Sequence, residues 1–331
     1  MSGKIISKSM QGEVISVEEI AHLFAVPLFS EESANIISAS RRKSESACGG
    51  LAEIHAQIGL NIAPCPRNCA FCAFAEKNRV FDSMSELSAD EAVAAVKQFE
   101  EDGANAIYVM ATADYSFAKY IEMSREIRKS LKCETVLVAN VGDFDVKQAR
   151  LLKDIGYAGI YHAVRLGEGC VTSISVEQRL RTMKNAREAE LLVGTCVEPV
   201  GAEHSIKELV EKTVITREAF SCFSGAARRI PIPGTELAPH GMVSEARLAH
   251  ILAVVRLAVG YDTPGNCTHE PNVIGAAAGA NLMWAESGSN PRDTEQKTEG
   301  KRGMTVQDCK RVFREAEWQV LQGPSKSFSG D

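Results

Sequence analysis

The chain has 331 residues, 45% of them apolar and 24% charged, with 43 acidic against 37 basic side chains for a net charge of -6. That is ample apolar mass for a large core, and the balance excludes both a disordered chain and the broad basic surface of a phosphate-backbone binder. No stretch reaches the roughly 20 apolar residues of a membrane span, and the opening MSGKIISKSMQGEVISVEEI has no unbroken apolar signal core. The expected setting is the cytoplasm, with neither membrane nor nucleic acid as a partner.

Residues 1–50 read as a helical extension (SVEEIAHLFAV, then EESANIISASRRKS) packed on the outside of one domain spanning 51–331. From residue 51 apolar β-branched runs alternate with stretches of helical spacing. The expected strands are 52–62, 105–111, 134–141, 159–164, 190–197, 226–232, 262–268 and 281–287. Between the first two lies SADEAVAAVKQFEEDG, opened by Ser88 as N-cap and closed by Gly103. VKQARLLKDIG follows the third strand and closes on Gly156. SVEQRLRTMKNAREAE, SIKELVEKTVITREAF and VSEARLAHILAVVRLAVG come after the fourth, fifth and sixth. Parallel strands need such crossovers, and eight of them predict a closed (β/α)8 barrel of the TIM type, an α/β fold; an open doubly wound sheet is the alternative. Residues 295–303 read as a solvated loop, and the C-terminal tail as helical.

Ten cysteines are present, and three fall within eight residues, Cys65-Pro-Arg-Asn-Cys69-Ala-Phe-Cys72, in the loop after the first strand. Loops after barrel strands line the C-terminal mouth, where active sites sit. Three, then two, intervening residues let one short loop wrap three thiolates around three irons of a cubane cluster, leaving the fourth iron open to a non-protein ligand. A structural zinc site would need a fourth Cys or His nearby, and His55 lies too far back on the strand; unrelated buried cysteines are the remaining reading.

CxxxCxxC with an aromatic before its last cysteine, after the first strand of a βα-repeat chain, resembles the radical S-adenosylmethionine (SAM) enzymes. The resemblance covers roughly residues 50 to 320 and is nearest to the branch of biotin synthase, the FeFe-hydrogenase maturase and methylornithine synthase. It implies that Cys65, Cys69 and Cys72 hold a 4Fe–4S cluster whose open iron chelates the amino and carboxylate groups of SAM. An electron donor such as flavodoxin or ferredoxin would then drive SAM cleavage to a 5′-deoxyadenosyl radical, which takes hydrogen from a small-molecule substrate. Ser175-Val-Glu-Gln-Arg179-Leu looks like the segment whose arginine contacts the SAM carboxylate, so that role falls to Arg179. Arg165 and Glu168 occupy the fourth-strand loop from which such enzymes address SAM. Ile230-Pro-Ile-Pro-Gly-Thr-Glu-Leu-Ala238 resembles the sixth-strand exit, with Glu236 where the family pattern has Pro, and Ala278-Gly-Ala-Asn281 is similar before the last strand.

The positions matching the ligands of biotin synthase's second, sulfur-donating cluster are Val109, Leu137 and Gly194, so that cluster is expected to be absent. Cys196 shares a strand face with Gly194 by the period-two rule, and Cys267 lies near the end of the seventh strand, so the two could meet in one cavity. Small apolar packing is the other reading for each. Cys48, Cys133, Cys170, Cys222 and Cys309 read as packing or surface residues.

An inward arginine in a dry barrel needs an anion, which points to a carboxylate or phosphate substrate met by Arg228 or Arg229, unless a helix carboxylate takes it. His162 and Arg292 are further substrate-side candidates, with Arg229 the expected arginine of the adjacent pair. The expected function is radical SAM chemistry in cofactor or small-metabolite biosynthesis, as rearrangement, fragmentation or maturase-type reaction on a small anionic molecule. Sulfur insertion of the biotin or lipoyl kind, on a cluster held by Cys196 and Cys267, is one alternative; a non-enzymatic iron–sulfur carrier is another.

Overall fold

The computed structural model describes residues 1–81 and 83–329. Eight parallel strands close into a barrel: β1 (Leu51–Gly59), β2 (Ala106–Met110), β3 (Val136–Asn140), β4 (Tyr157–Tyr161), β5 (Leu192–Gly194), β6 (Phe223–Arg228), β7 (Gly265–Thr268) and β8 (Leu282–Gly288). Each pairs with the next, and β8 returns to β1, where His55 stands opposite Trp284. The open-sheet alternative is thereby excluded. β6 begins three residues earlier than its apolar run suggested, and it stops at Arg228, short of Pro231 and Pro233, which have no N–H to give to a ladder. Beyond β5, Val197–Val200 runs on as a separate strand beside β6 after a register shift.

The helices are α1 (Ser2–Met10), α2 (Val17–Ala25), α3 (Glu31–Cys48), α4 (Ala89–Asp102), α5 (Phe117–Ser130), α6 (Val146–Ile155), α7 (Val176–Glu188), α8 (Ile206–Glu218), α9 (Glu245–Ala258), α10 (Val273–Ala277) and α11 (Val306–Glu315). α4 has the ends its sequence signals: Ser88 Oγ accepts from the Glu91 N–H, Glu91 answers on the Ser88 N–H, and Gly103 closes it at φ 85°. α9 is buried on every side from Leu248 to Ala258. Its apolar circumference fits its place, with the barrel on one side and α1–α3 on the other. The N-terminal segment forms an outer layer over α9, with α1 an element the sequence pattern did not reveal.

Period-two alternation sets the barrel interior. Tyr108, Val138, Tyr161, Cys196, Phe223 and Trp284 face inward as one cluster, whereas Val109 and Leu137 belong to the layer under the helices. The sequence match that placed Val109 and Leu137 inside is thus off by one residue, which moves a side chain to the other face. Gly194 does face in, and a Cβ there would run into the Phe223 ring.

The helical C-terminal tail ends at Glu315. Beyond it, Gln319–Val320 pairs with the start of β1, and the chain then closes the N-terminal end of the barrel. Phe328 packs against His55, Tyr108 and Phe223 with ring centroids 6.0, 6.2 and 6.1 Å away. The buried Glu53 carboxylate accepts from the backbone N–H of Lys326 and of Ser327 at 3.0 Å each, and from the hydroxyls of Ser325 and Ser327. The 295–303 segment is only partly a solvated loop: Thr298 is buried, and Arg302 turns inward to Glu286 and Glu270.

Candidate active site

At the C-terminal mouth lies a cavity that is open to solvent on one side. Its walls bring together Cys65, Cys69 and Cys72, then Arg165 and Arg179, then His162, Arg229 and Arg292, all singled out in the sequence. Glu168 lies just behind, buried beneath the two arginines.

The cysteine loop is fixed at several points. Ala70 N–H donates to Val171 O at 2.8 Å, Ala73 N–H to Pro291 O at 2.9 Å, and Leu237 N–H to Ala70 O at 3.2 Å. The Asn78 side chain donates to the Cys69 and Cys72 carbonyls at 3.2 and 2.8 Å, and Asn68 takes the left-handed turn between Cys65 and Cys69 at φ 50°. The 230–238 segment therefore braces the loop, with Ile232 packed in the same apolar cluster as Cys65 and Phe74. Glu236 stays outside, paired with Lys77 at 2.7 Å.

The donor set suits a polynuclear cluster. Three cysteine sulfurs on one short loop are the donors that iron–sulfur clusters take, each thiolate on a separate iron. The Phe74 N–H points at Cys72 Sγ from 3.4 Å, the kind of hydrogen bond that tunes cluster sulfurs. Burial, with Cys69 and Cys65 as neighbours, pushes the Cys72 thiol up to about 12; a bound cation would reverse that, since metal binding displaces the proton.

Behind the loop an ionic frame holds the arginines. Arg179 Nε donates to Glu168 Oε2 at 3.2 Å, and its Nη1 lies 3.5 Å from Asp143 Oδ2. Arg165 Nε is 3.5 Å from Glu198 Oε1. Glu168 Oε2 also accepts from the Arg165 N–H at 3.0 Å, and Oε1 from Thr172 at 2.6 Å. Burial lowers the Arg179 pKa, and the nearby Arg165 cation adds to this against the pull of Glu168 and Asp143. Two guanidiniums held close together in a half-dry cavity suit an anionic ligand group.

His162 is buried and pushed down to about 4 by desolvation, against the opposing pull of Asp143. It is neutral near pH 7. Because a carboxylate only accepts, the 3.0 Å contact with Asp143 Oδ1 puts the proton on Nε2. The 3.5 Å approach of Arg179 Nη1 to that same nitrogen is then donor against donor rather than a hydrogen bond.

Arg229 does not await a ligand. Both terminal nitrogens meet Glu203, Nη2 at 2.8 Å to Oε2, and Arg228 faces Glu245 at 3.3 Å and Glu270 at 3.7 Å. Helix-side and loop carboxylates thus supply the anions for which a substrate was expected. Arg292 is also paired: Nη2 lies 3.4 Å from Glu286 Oε1 and Nη1 3.7 Å from Glu270 Oε1, the latter beyond hydrogen-bond distance, so that the buried Nη1 makes no hydrogen bond. His269 donates from Nε2 to Glu286 Oε1 at 3.0 Å and stacks on Trp284, the ring centroids 4.9 Å apart. Glu198, Gln57 and Tyr161 also line the cavity and were not singled out in the sequence as site residues; for Glu198 the one available signal was its place two residues beyond Cys196.

Comparison with known proteins agrees with this geometry. Residues 63–214 match the family model of the Radical SAM superfamily. A biotin synthase from Carboxydothermus hydrogenoformans is 23% identical over 258 residues, 74% of this chain and 78% of that protein. One from Geobacter metallireducens is 27% identical over 266 residues, 78% of each. The fold is shared with a crystal structure of methylornithine synthase (TM-score 0.79, 14% identity, 96% of this chain and 97% of that one). It is shared too with an FeFe-hydrogenase maturase from Carboxydothermus hydrogenoformans (TM-score 0.78, 19% identity, 99% and 81%).

Proposed function

We propose that this chain, which carries a radical SAM domain and is an enzyme of that superfamily, rearranges or fragments a small anionic molecule. Members of the superfamily use a 4Fe–4S cluster and SAM. Bound here, they would supply a primary carbon radical able to take hydrogen from an unactivated C–H bond. Cys65, Cys69 and Cys72 would hold the cluster, with Asn78 fixing two of their carbonyls. Arg179 and Arg165 would face the carboxylate of SAM, the first oriented by Glu168 and Asp143 and the second by Glu198. His162, kept neutral by its burial and oriented by Asp143, offers Nδ1 as an acceptor without adding charge. Arg292, held at 3.4 Å by Glu286 and at 3.7 Å by Glu270 on the cavity wall, is the proposed cation for an anionic substrate group. The cavity wall also includes Phe71, Phe74, Met110 and Ile230, which exclude water from a reaction that water and stray donors would quench.

The observation that carries this reading is the convergence of the three cysteines, the buried Arg179 and the half-buried Arg165 on one cavity. Sulfur insertion is disfavoured because Cys196 and Cys267 are joined by no third ligand among the described residues. An electron donor of the flavodoxin or ferredoxin kind is the proposed protein partner. Anaerobically reconstituted protein is expected to carry about four irons and, with dithionite, to convert SAM to methionine and 5′-deoxyadenosine. Full iron loading with intact SAM would overturn the proposal.

A further inference from the structure

Just below the cavity the barrel holds three weakly bonded hydrogens that the chemistry above leaves unused. Tyr161 lines the cavity wall, and its ring is stacked on Phe223 with 6.0 Å between centroids and 3° between planes. Its hydroxyl lies 3.0 Å from Cys196 Sγ. Cys267 is packed with Cys196 in the same buried apolar cluster inside the barrel.

Three uses of such a pair can be separated. A metal site needs more donors, and no third side chain converges on an ion position among the described residues. A nucleophile or a thiolate redox centre needs an ionised sulfur, but burial holds the Cys196 thiol and the Tyr161 phenol protonated, each well above its ordinary pKa. What remains is homolytic chemistry. Phenol O–H and thiol S–H bonds are weaker than aliphatic C–H bonds, so a carbon radical in this cavity takes their hydrogen downhill.

We propose that Tyr161 and Cys196 form a hydrogen-atom relay that quenches a carbon-centred radical in the cavity, with Cys267 as a second thiol that exchanges hydrogen with Cys196. The inference rests on the radical SAM reading. The carbon gains a hydrogen as the Tyr161 O–H bond breaks. That O–H bond re-forms as the Cys196 S–H bond breaks, and the Cys196 sulfur exchanges with the Cys267 S–H. The sulfur radical is returned to a thiol by one electron from a low-potential one-electron donor, of the kind SAM cleavage already consumes, and one proton from water.

The test needs no substrate. Protein reconstituted in D2O, so that its thiols and phenols carry deuterium, is given SAM and dithionite with no added thiol. The products are read by mass spectrometry and the frozen protein by electron paramagnetic resonance. Wild-type protein should yield singly deuterated 5′-deoxyadenosine and no persistent tyrosyl signal. Tyr161→Phe, with unchanged iron content, should yield it unlabelled. Cys196→Ser keeps the size and the hydrogen bond to Tyr161 but offers an O–H bond too strong to break, so a tyrosyl radical should accumulate. Labelling that persists in Tyr161→Phe, unlabelled product from wild type, or a Cys196→Ser protein without a tyrosyl signal would each overturn the relay. Failure of iron-loaded wild type to make any 5′-deoxyadenosine would instead remove the radical SAM reading, and the relay with it.

Discussion

Arg179 and Glu168 form a buried ion pair, Nε to Oε2 at 3.2 Å, with the two side chains only 5% and 0% exposed. Arg181, two residues on, is 62% exposed and faces only Glu177. Of two arginines on one helix, one is therefore committed to the cavity and the other to water.

Arg179→Ala should weaken SAM binding by about 2–4 kcal/mol, roughly 30-fold to several-hundred-fold, because a ligand carboxylate loses a charge-assisted partner. It should also cost about 3 kcal/mol of stability, since Glu168 is left buried with only neutral donors. Arg179→Lys should recover part of each loss, and Arg181→Ala should change neither. Titration of SAM into iron-matched samples decides it: equal affinities for Arg179→Ala and Arg181→Ala would refute the assignment.

The depressed pKa of His162 gives a stability limb on the acid side. Its ordinary value is 6.5 and burial brings it to about 4, so on acidification the unfolded chain takes the proton first. The stability is complete above pH 6.5 and falls toward pH 4, by at most about 1.4 kcal/mol per pH unit for one proton. Asp143, held low by His162 and Arg179, adds a further loss at still lower pH. Urea unfolding across this range should show a flatter limb for His162→Gln than for wild type.

Asn78 spans the last two cysteine carbonyls, and removing it takes away two hydrogen bonds worth about 1 kcal/mol each while leaving all three sulfurs. Asn78→Ala should fold and load iron, yet surrender it to a chelator faster than wild type. Indistinguishable release rates would show that the loop holds its shape without this side chain.

Phe328 is 4% exposed at the closed end of the barrel. Phe328→Ala should cost about 3–5 kcal/mol in denaturant unfolding, the range for a large-to-small change at a well-packed aromatic. A loss under about 1 kcal/mol would mean that the tail is only loosely docked.

The elements that carry their own local signals were legible in the sequence. α4 announces both ends through Ser88, Glu91 and Gly103, and the cysteine loop announces itself through spacing alone. Arg179 could be placed through its segment. What was not legible depends on closure in three dimensions. Nothing near Arg229 in sequence says that Glu203 will take both of its terminal nitrogens. The facing of Val109 and Leu137 turned on a one-residue choice that two mostly apolar strands leave open, since parallel strands buried on both sides lack alternation. Tyr161 and Cys196 lie 35 positions apart and meet only because β4 and β5 are neighbours in the barrel.

The tail that seals Glu53 and seats Phe328 leaves the barrel a single doorway. Under the function proposed above, a small substrate seated beyond SAM would have to enter before it and leave after its fragments, and steady-state kinetics would be compulsory-order.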